Sequence, residues 1–178
     1  MAMRTSFYLL PIALLASGAV QATTYLTVDQ AQAQMLPGAT LTQDFRQLTP
    51  AQIAAIRKDS GQSPLNDQLK AWRASDGSWF IVDEVVGKHE FITFAVTIDG
   101  GGAVRRVEVL DYREAYGSQV REAAWLAQFV GKKRGAPLAL GDDIKNISGA
   151  TLSSKHISDG VRRLLSTYAI VLAPGATA

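Results

Sequence analysis

The stretch of the chain best suited to chemistry is Ser148-Gly149-Ala150-Thr151, near the C-terminal end. Its first three residues put almost no side-chain bulk beside the backbone, and Gly149 can adopt a positive φ. A large group could therefore approach the backbone closely at this point. Thr151 offers the one secondary hydroxyl of the stretch.

An amphipathic helix is predicted directly after this stretch. Its apolar residues recur at i, i+4, i+7, i+8 and i+11, which is the spacing of a single helical face. They are Ile157, Val161, Leu164, Leu165 and Tyr168. We expect Ser153 or Ser154 to be the N-cap. A helix start presents free backbone N–H groups and the positive end of the helix dipole, so a phosphate would bind favourably beside Thr151. Small residues before a serine cap are also simply how helices begin, and at this point that explanation stays open.

The segment from Ser148 to Ser154 resembles the flavinylation motif of the FMN-binding domain family. This family includes the C subunit of the sodium-translocating NADH:quinone reductase and the G subunit of Rnf complexes. In the family, the threonine that matches Thr151 carries FMN through a phosphoester, and a dedicated flavin transferase attaches it with FAD as donor. The resemblance implies a covalent FMN site made of Thr151 and its neighbours. These neighbours are Ser148, Gly149, Ala150, Leu152 and Ser153.

Three positions depart from the family's sequence pattern. The family usually has Asp three residues before the serine, where this chain has Lys145, and Asp142 and Asp143 lie further upstream. A second segment resembles the family's Glu-Thr-Pro-Gly turn, which lines the flavin pocket. The resemblance implies that Glu114 and Gly117 belong to the site, although Ala115 and Tyr116 replace Thr and Pro. Without the resemblance, Glu114 would be an ordinary surface residue at a strand end.

The chain contains no cysteine. A c-type haem needs Cys-x-x-Cys-His and iron–sulfur clusters need cysteine thiolates, so both are excluded. If the protein handles electrons, flavin is the cofactor that is left. The two histidines, His89 and His156, have no second histidine or carboxylate at ligand spacing, so we expect no metal site.

Residues 1–22 are predicted to be a secretory signal peptide. Arg4 supplies the positive charge, Phe7 to Ala19 are almost wholly apolar, and Val20 and Ala22 fit a cleavage site. An uncleaved anchor is the alternative, although the apolar run is shorter than the roughly 20 residues that span a bilayer. Loss of Arg4 with the signal reduces the 18 basic residues to 17, against 16 acidic residues. The mature net charge of +1 gives no reason to expect nucleic acid as a partner.

The remaining chain is predicted to form one α+β globule: a twisted antiparallel sheet packed against helices, with an N-terminal helical segment. Helices are predicted after Thr27 and Thr49, and alternating β-branched and aromatic residues from Trp72 onwards predict three or four strands. The expected organisation is residues 23–75 for the N-terminal segment, 76–172 for the FMN-binding domain and 173–178 for a C-terminal tail. Residues 120–129 are predicted to form a helical run, which holds Val120, Ala124, Trp125, Ala127, Gln128 and Phe129.

These observations and the resemblance lead to a functional hypothesis. We expect a periplasmic electron carrier with covalent FMN, matured by a flavin transferase and served by an integral membrane reductase or another redox carrier, rather than an enzyme in its own right. A secreted interaction module of the same fold without cofactor is the main alternative. A reversible binder of flavin or another small ligand is the third.

Overall fold

The computed structural model describes residues 23–176 of the chain. The predicted signal peptide and the last two residues of the predicted tail lie outside this range. The described residues form an antiparallel sheet packed against helices, which confirms the predicted α+β class.

The sheet has seven strands. They are β1 (Thr23–Thr24), β2 (Leu41–Gln43), β3 (Arg46–Gln47), β4 (Gln68–Ala74), β5 (Trp79–Val86), β6 (Phe91–Ile98) and β7 (Val104–Tyr112). Their order is β1-β7-β6-β5-β4-β2, and β3 also pairs with β4. The helices are α1 (Val28–Met35), α2 (Pro50–Ser60), α3 (Ala123–Leu126) and α4 (Thr151–Thr167). Strands β4 to β7 form the predicted meander.

Both predicted N-terminal helices are present, and each begins with a capping box. Thr27 and Thr49 accept from the N–H groups of Gln30 and Gln52, whose side chains accept in return from the cap N–H groups. The N-terminal segment is nevertheless not only helical, because β1, β2, β3 and β4 all lie within it. Strand β4 begins at Gln68, before the predicted change of period at Trp72, because polar and buried residues already alternate from there.

The sheet is covered on both faces. Helices α2 and α4 pack with Ile81, Phe94 and Val96 in the larger core cluster. The smaller cluster contains Phe80 and Val82 on alternate positions of β5, together with buried residues of α1. This alternation is the two-residue period that a strand imposes on its side chains.

Helix α4 lies directly on β5 and β6 because Gly160 has no side chain. A Cβ at Gly160 would fall 2.7 Å from the Phe94 ring and 2.8 Å from Val85. The predicted apolar face of the helix is confirmed, since Ile157, Val161 and Leu164 are all buried. This packing fixes the position of the N-terminus of α4 relative to the sheet. None of the helices within residues 23–176 is long and apolar enough to cross a membrane.

The prediction of a single helical run over residues 120–129 is wrong. The structure has a 3-10 turn at Ser118–Arg121, the short helix α3, and another 3-10 turn at Ala127–Phe129. Glu122 interrupts the run because its backbone is extended, with φ −63° and ψ 128°.

Candidate cofactor-binding site

A pocket of about 470 Å³ lies at the N-terminus of α4. Three segments far apart in sequence form its walls: the loop between β5 and β6, the turn after β7, and the start of α4. The lining residues are Lys88, His89, Glu114, Ala115, Tyr116, Gly149, Ala150, Thr151, Leu152 and Ser153. Its volume is in the range of pockets that bind small molecules and cofactors.

Helix α4 begins earlier than predicted. Ala150 is the N-cap and gives no side-chain cap, so the expectation of a cap at Ser153 or Ser154 is wrong. The reason is a backbone turn: Gly149 has φ +83°, and the Ala150 N–H donates to the carbonyl of Ile147 at 3.0 Å. Ser153 and Ser154 are buried within the helix instead. Because no side chain caps the helix, its first N–H groups remain available to an anion.

Thr151 is the first residue of α4 and its side chain is exposed at the pocket. The Asn146 side-chain amide donates to Thr151 Oγ1 at 3.1 Å. This hydrogen bond orients the hydroxyl oxygen and leaves its proton free to be donated elsewhere. Sequence reasoning missed Asn146, because a lone asparagine five residues before the threonine fits no periodic pattern.

Lys145 is held by its backbone, while its side chain is exposed. Its N–H donates to Gln128 Oε1 at 2.8 Å, and Trp125 Nε1 donates to its carbonyl at 2.7 Å. Asp143 does not replace the family's aspartate, because it is engaged inside its own loop by Lys132 Nζ at 2.7 Å and the Ala139 N–H at 2.8 Å. The substitution at position 145 therefore changes a surface charge and leaves the loop's anchoring contacts in place.

Glu114 holds the loop between β5 and β6 against the pocket. Its Oε1 accepts from the N–H groups of His89 at 2.6 Å and Glu90 at 3.1 Å. Partial burial raises the pKa of the Glu114 carboxyl, but the backbone N–H donors of this loop outweigh that effect and hold the pKa below its usual value. Gly87 permits this approach, since a Cβ there would fall within 3.1 Å of Glu114 Cγ and of the Glu90 carbonyl oxygen.

His156 holds the same loop from the side of α4. Its Nδ1 contacts the carbonyl oxygens of Val86 and Gly87, the latter at 3.2 Å. Carbonyl oxygens only accept hydrogen bonds, so this nitrogen carries a proton. The loop that presents Lys88 and His89 to the pocket is thus fixed at both ends.

Tyr112, at the end of β7, joins the turn that follows it to α4. Its hydroxyl donates to the carbonyl of Tyr116 and lies 3.1 Å from Ser153 Oγ. Burial raises the pKa of the Tyr112 hydroxyl, which therefore stays protonated as a donor at neutral pH. Gly117, with φ +91°, packs behind the pocket against Ala150.

The structure brings most of the predicted site residues together. Glu114, Gly149, Ala150, Thr151, Leu152 and Ser153 line the pocket. Gly117 supports its wall, whereas Ser148 is exposed and lies outside the lining. Lys88 and His89 were not predicted, because their approach to Thr151 depends on the contact with Glu114 across 25 residues. No group of three side chains able to hold a metal ion is found in the part of the chain that the structure describes.

The fold and the pocket define an α+β protein with a preformed site at a helix N-terminus. The sequence profile of the FMN-binding domain family matches residues 87–166, which include all three pocket-forming segments. These residues form an FMN-binding domain and belong to that family. A search of curated proteins found no match to the chain.

Proposed function

We propose that the protein is an extracytoplasmic electron-transfer flavoprotein that carries FMN on Thr151 through a phosphoester bond. The observation that carries this proposal is the exposed hydroxyl of Thr151 at the first position of α4, inside the pocket of an FMN-binding domain.

The residues of the pocket fit this cofactor. The uncapped N-terminus of the 17-residue helix α4 suits the phosphate. Gly149 leaves room beside the attachment point, since a Cβ placed there would have no neighbour within 4 Å. Lys88 lies in the lining and supplies positive charge, while Ala115 and Leu152 supply apolar surface for a flat ring system.

The attachment reaction balances as a transfer from FAD. Thr151 Oγ1 forms a bond to the phosphorus of the FMN half, and the bond from this phosphorus to the bridging oxygen of the pyrophosphate breaks. AMP leaves, and the hydroxyl proton passes to a base on the transferase. Nothing is oxidised or reduced, so the protein gains the mass of FMN less one water. Asn146 would hold the attacking oxygen by donating to it.

When bound, FMN supplies electron transfer in single or paired steps. The chain's own residues would position it: Thr151 tethers it, and Glu114 and His156 hold the loop of Lys88 and His89 beside it. A covalent tether suits a protein outside the cytoplasm, since a cofactor released there would be diluted beyond recapture. Electrons would arrive from an integral membrane reductase and leave to another redox carrier.

The extracytoplasmic location rests on residues 1–22. The mature chain is expected to begin at Thr23, and N-terminal sequencing or the intact mass of periplasmic material tests this. Retention of Arg4 would identify an anchor instead. A gene knockout that leaves every membrane-derived extracytoplasmic reduction unchanged would contradict the proposed partners.

A cofactor-free interaction module is the second candidate, and the observation that favours it is Lys145 at the family's aspartate position. Acid precipitation and washing of the native protein separate the candidates. A covalent flavoprotein stays yellow, whereas a cofactor-free module is colourless from the start. A reversible binder releases its colour to the supernatant.

A further inference from the structure

Tyr116 is the most exposed large apolar or aromatic side chain within residues 25–176. It is 85% exposed, whereas the next, Val130, is 53% exposed. Aromatic side chains usually bury much of their surface, and exposed ones gathered at a pocket are typical of binding sites. Tyr116 also belongs to the pocket lining. The exposed ring of Tyr116 therefore lies at the candidate cofactor site.

The backbone of Tyr116 is fixed even though its ring is free. The Tyr112 hydroxyl donates to the Tyr116 carbonyl, and the next residue, Gly117, packs against Ala150. The backbone of Tyr116 is thus held in a fixed position relative to the start of α4, by contacts that do not involve the ring. A side chain prepared in this way can contact a ligand without a large movement of the chain.

Leu152 supplies a second exposed apolar surface in the same pocket. It is 45% exposed and directly follows Thr151. A flat ring system attached at Thr151 would therefore meet an aliphatic side chain from α4 and an aromatic one from the turn after β7.

We infer that the Tyr116 ring stacks on the isoalloxazine ring of FMN and covers it from solvent. This inference rests on the proposed attachment of FMN at Thr151. Tyrosine is this chain's own feature, because the family's turn has proline at this position. Aromatic rings attract each other in offset-stacked arrangements. The oxidised isoalloxazine is electron-poor and the phenol ring is electron-rich, so stacking favours the oxidised flavin and lowers its midpoint potential.

Two substitutions separate the effects of the ring and the hydroxyl. Tyr116→Leu removes the aromatic ring. Tyr116→Phe keeps a ring that stacks, but this ring is a poor electron donor to excited flavin and therefore quenches flavin fluorescence less than the phenol does. Neither removes the carbonyl that accepts from Tyr112. Because the side chain is so exposed, both variants are expected to fold with the stability of the parent.

The experiment uses full-length chains co-expressed with a flavin transferase, with flavin content determined by intact mass. At equal flavin content, Tyr116→Leu and Tyr116→Phe should fluoresce several-fold more strongly than the parent. Tyr116→Leu should also have a higher midpoint potential, and the potential of Tyr116→Phe should lie between those of the parent and Tyr116→Leu. Equal fluorescence in all three forms at full flavin content would overturn the inference and leave the proposed function standing. If the parent carries no flavin despite an active transferase, the proposed function fails and the inference fails with it.

Discussion

Gly117 and Ala150 are in direct contact, although 33 residues separate them. A Cβ placed on Gly117 would lie 2.8 Å from Ala150 Cβ and 2.7 Å from the Tyr112 hydroxyl. This contact seats the turn after β7 on the start of α4 and sets the distance between Tyr116 and Thr151. The pocket thus depends on a glycine that does not line it.

Gly117→Ala is expected to destabilise the protein and to slow flavinylation. Its φ of +91° costs an alanine about 1–2 kcal/mol, and the overlap with Ala150 adds about 1–3 kcal/mol. Gly61→Ala is the matched control, because Gly61 has φ +75° but no neighbour within 4 Å of an added Cβ. Urea unfolding measures the stability of both variants. Equal losses in the two would show that the contact with Ala150 contributes nothing.

Glu114→Gln should change how stability depends on pH. Because the folded pKa of Glu114 is lowered, its contribution is fully present above the unfolded value of about 4.3 and is lost as pH falls through the folded value. A glutamine still accepts, so the loss at pH 7 is expected to be about 1 kcal/mol. The difference between variant and parent should shrink as pH falls from 5 to 3. Glu122→Gln, at an exposed position, is the control, and a pH-independent difference for Glu114→Gln would contradict the assigned contact.

Asn146→Ala should slow the attachment of FMN without abolishing it. The lost hydrogen bond to Thr151 Oγ1 is worth about 0.5–1.5 kcal/mol, which corresponds to roughly two- to tenfold in rate. Time courses of in-gel flavin fluorescence with a purified transferase measure this. Asn66→Ala, at an exposed asparagine outside the pocket lining, should label at the parent rate. An unchanged rate for Asn146→Ala would show that the hydrogen bond does not prepare the hydroxyl.

Lys145→Asp should increase the rate of flavinylation by a transferase that recognises the family's aspartate. The fold should not change, since the contacts with Gln128 and Trp125 use only the backbone of residue 145. Initial labelling rates and thermal unfolding of the two forms are the measurements. A lower rate of flavinylation at unchanged stability would contradict this prediction and would mean that the transferase recognises lysine at position 145.

Local patterns in the sequence were sufficient to predict several elements. The apolar spacing predicted the buried face of α4, and the threonines at positions 27 and 49 predicted the starts of α1 and α2. Strand β1 was not predicted, because a segment of two residues is too short to show a period. Its place in the sheet follows from its pairing with β7.

The candidate site was predictable only in part, for a similar reason. The motif around Thr151 and the turn at Glu114 were each visible in the sequence. Their meeting depends on long-range contacts such as Tyr112 with Ser153, which lie 41 residues apart. The predicted start of α4 was wrong, because a backbone turn at Gly149 replaces the expected serine cap. A preference for serine at a helix start cannot reveal which residue the surrounding packing selects.

The most direct test of the account is the intact mass of denatured Thr151→Ala, compared with the parent, Thr151→Ser and Ser148→Ala after co-expression with a flavin transferase. Ser148 is the matched control, because its hydroxyl is exposed nearby but lies outside the pocket lining. The parent and Ser148→Ala should carry the mass of FMN less one water, and Thr151→Ala should carry none while remaining folded. Thr151→Ser keeps the oxygen and loses only a methyl group, so it should be labelled in part. If Thr151→Ala still gains this mass, the flavin is attached elsewhere and the central claim is wrong.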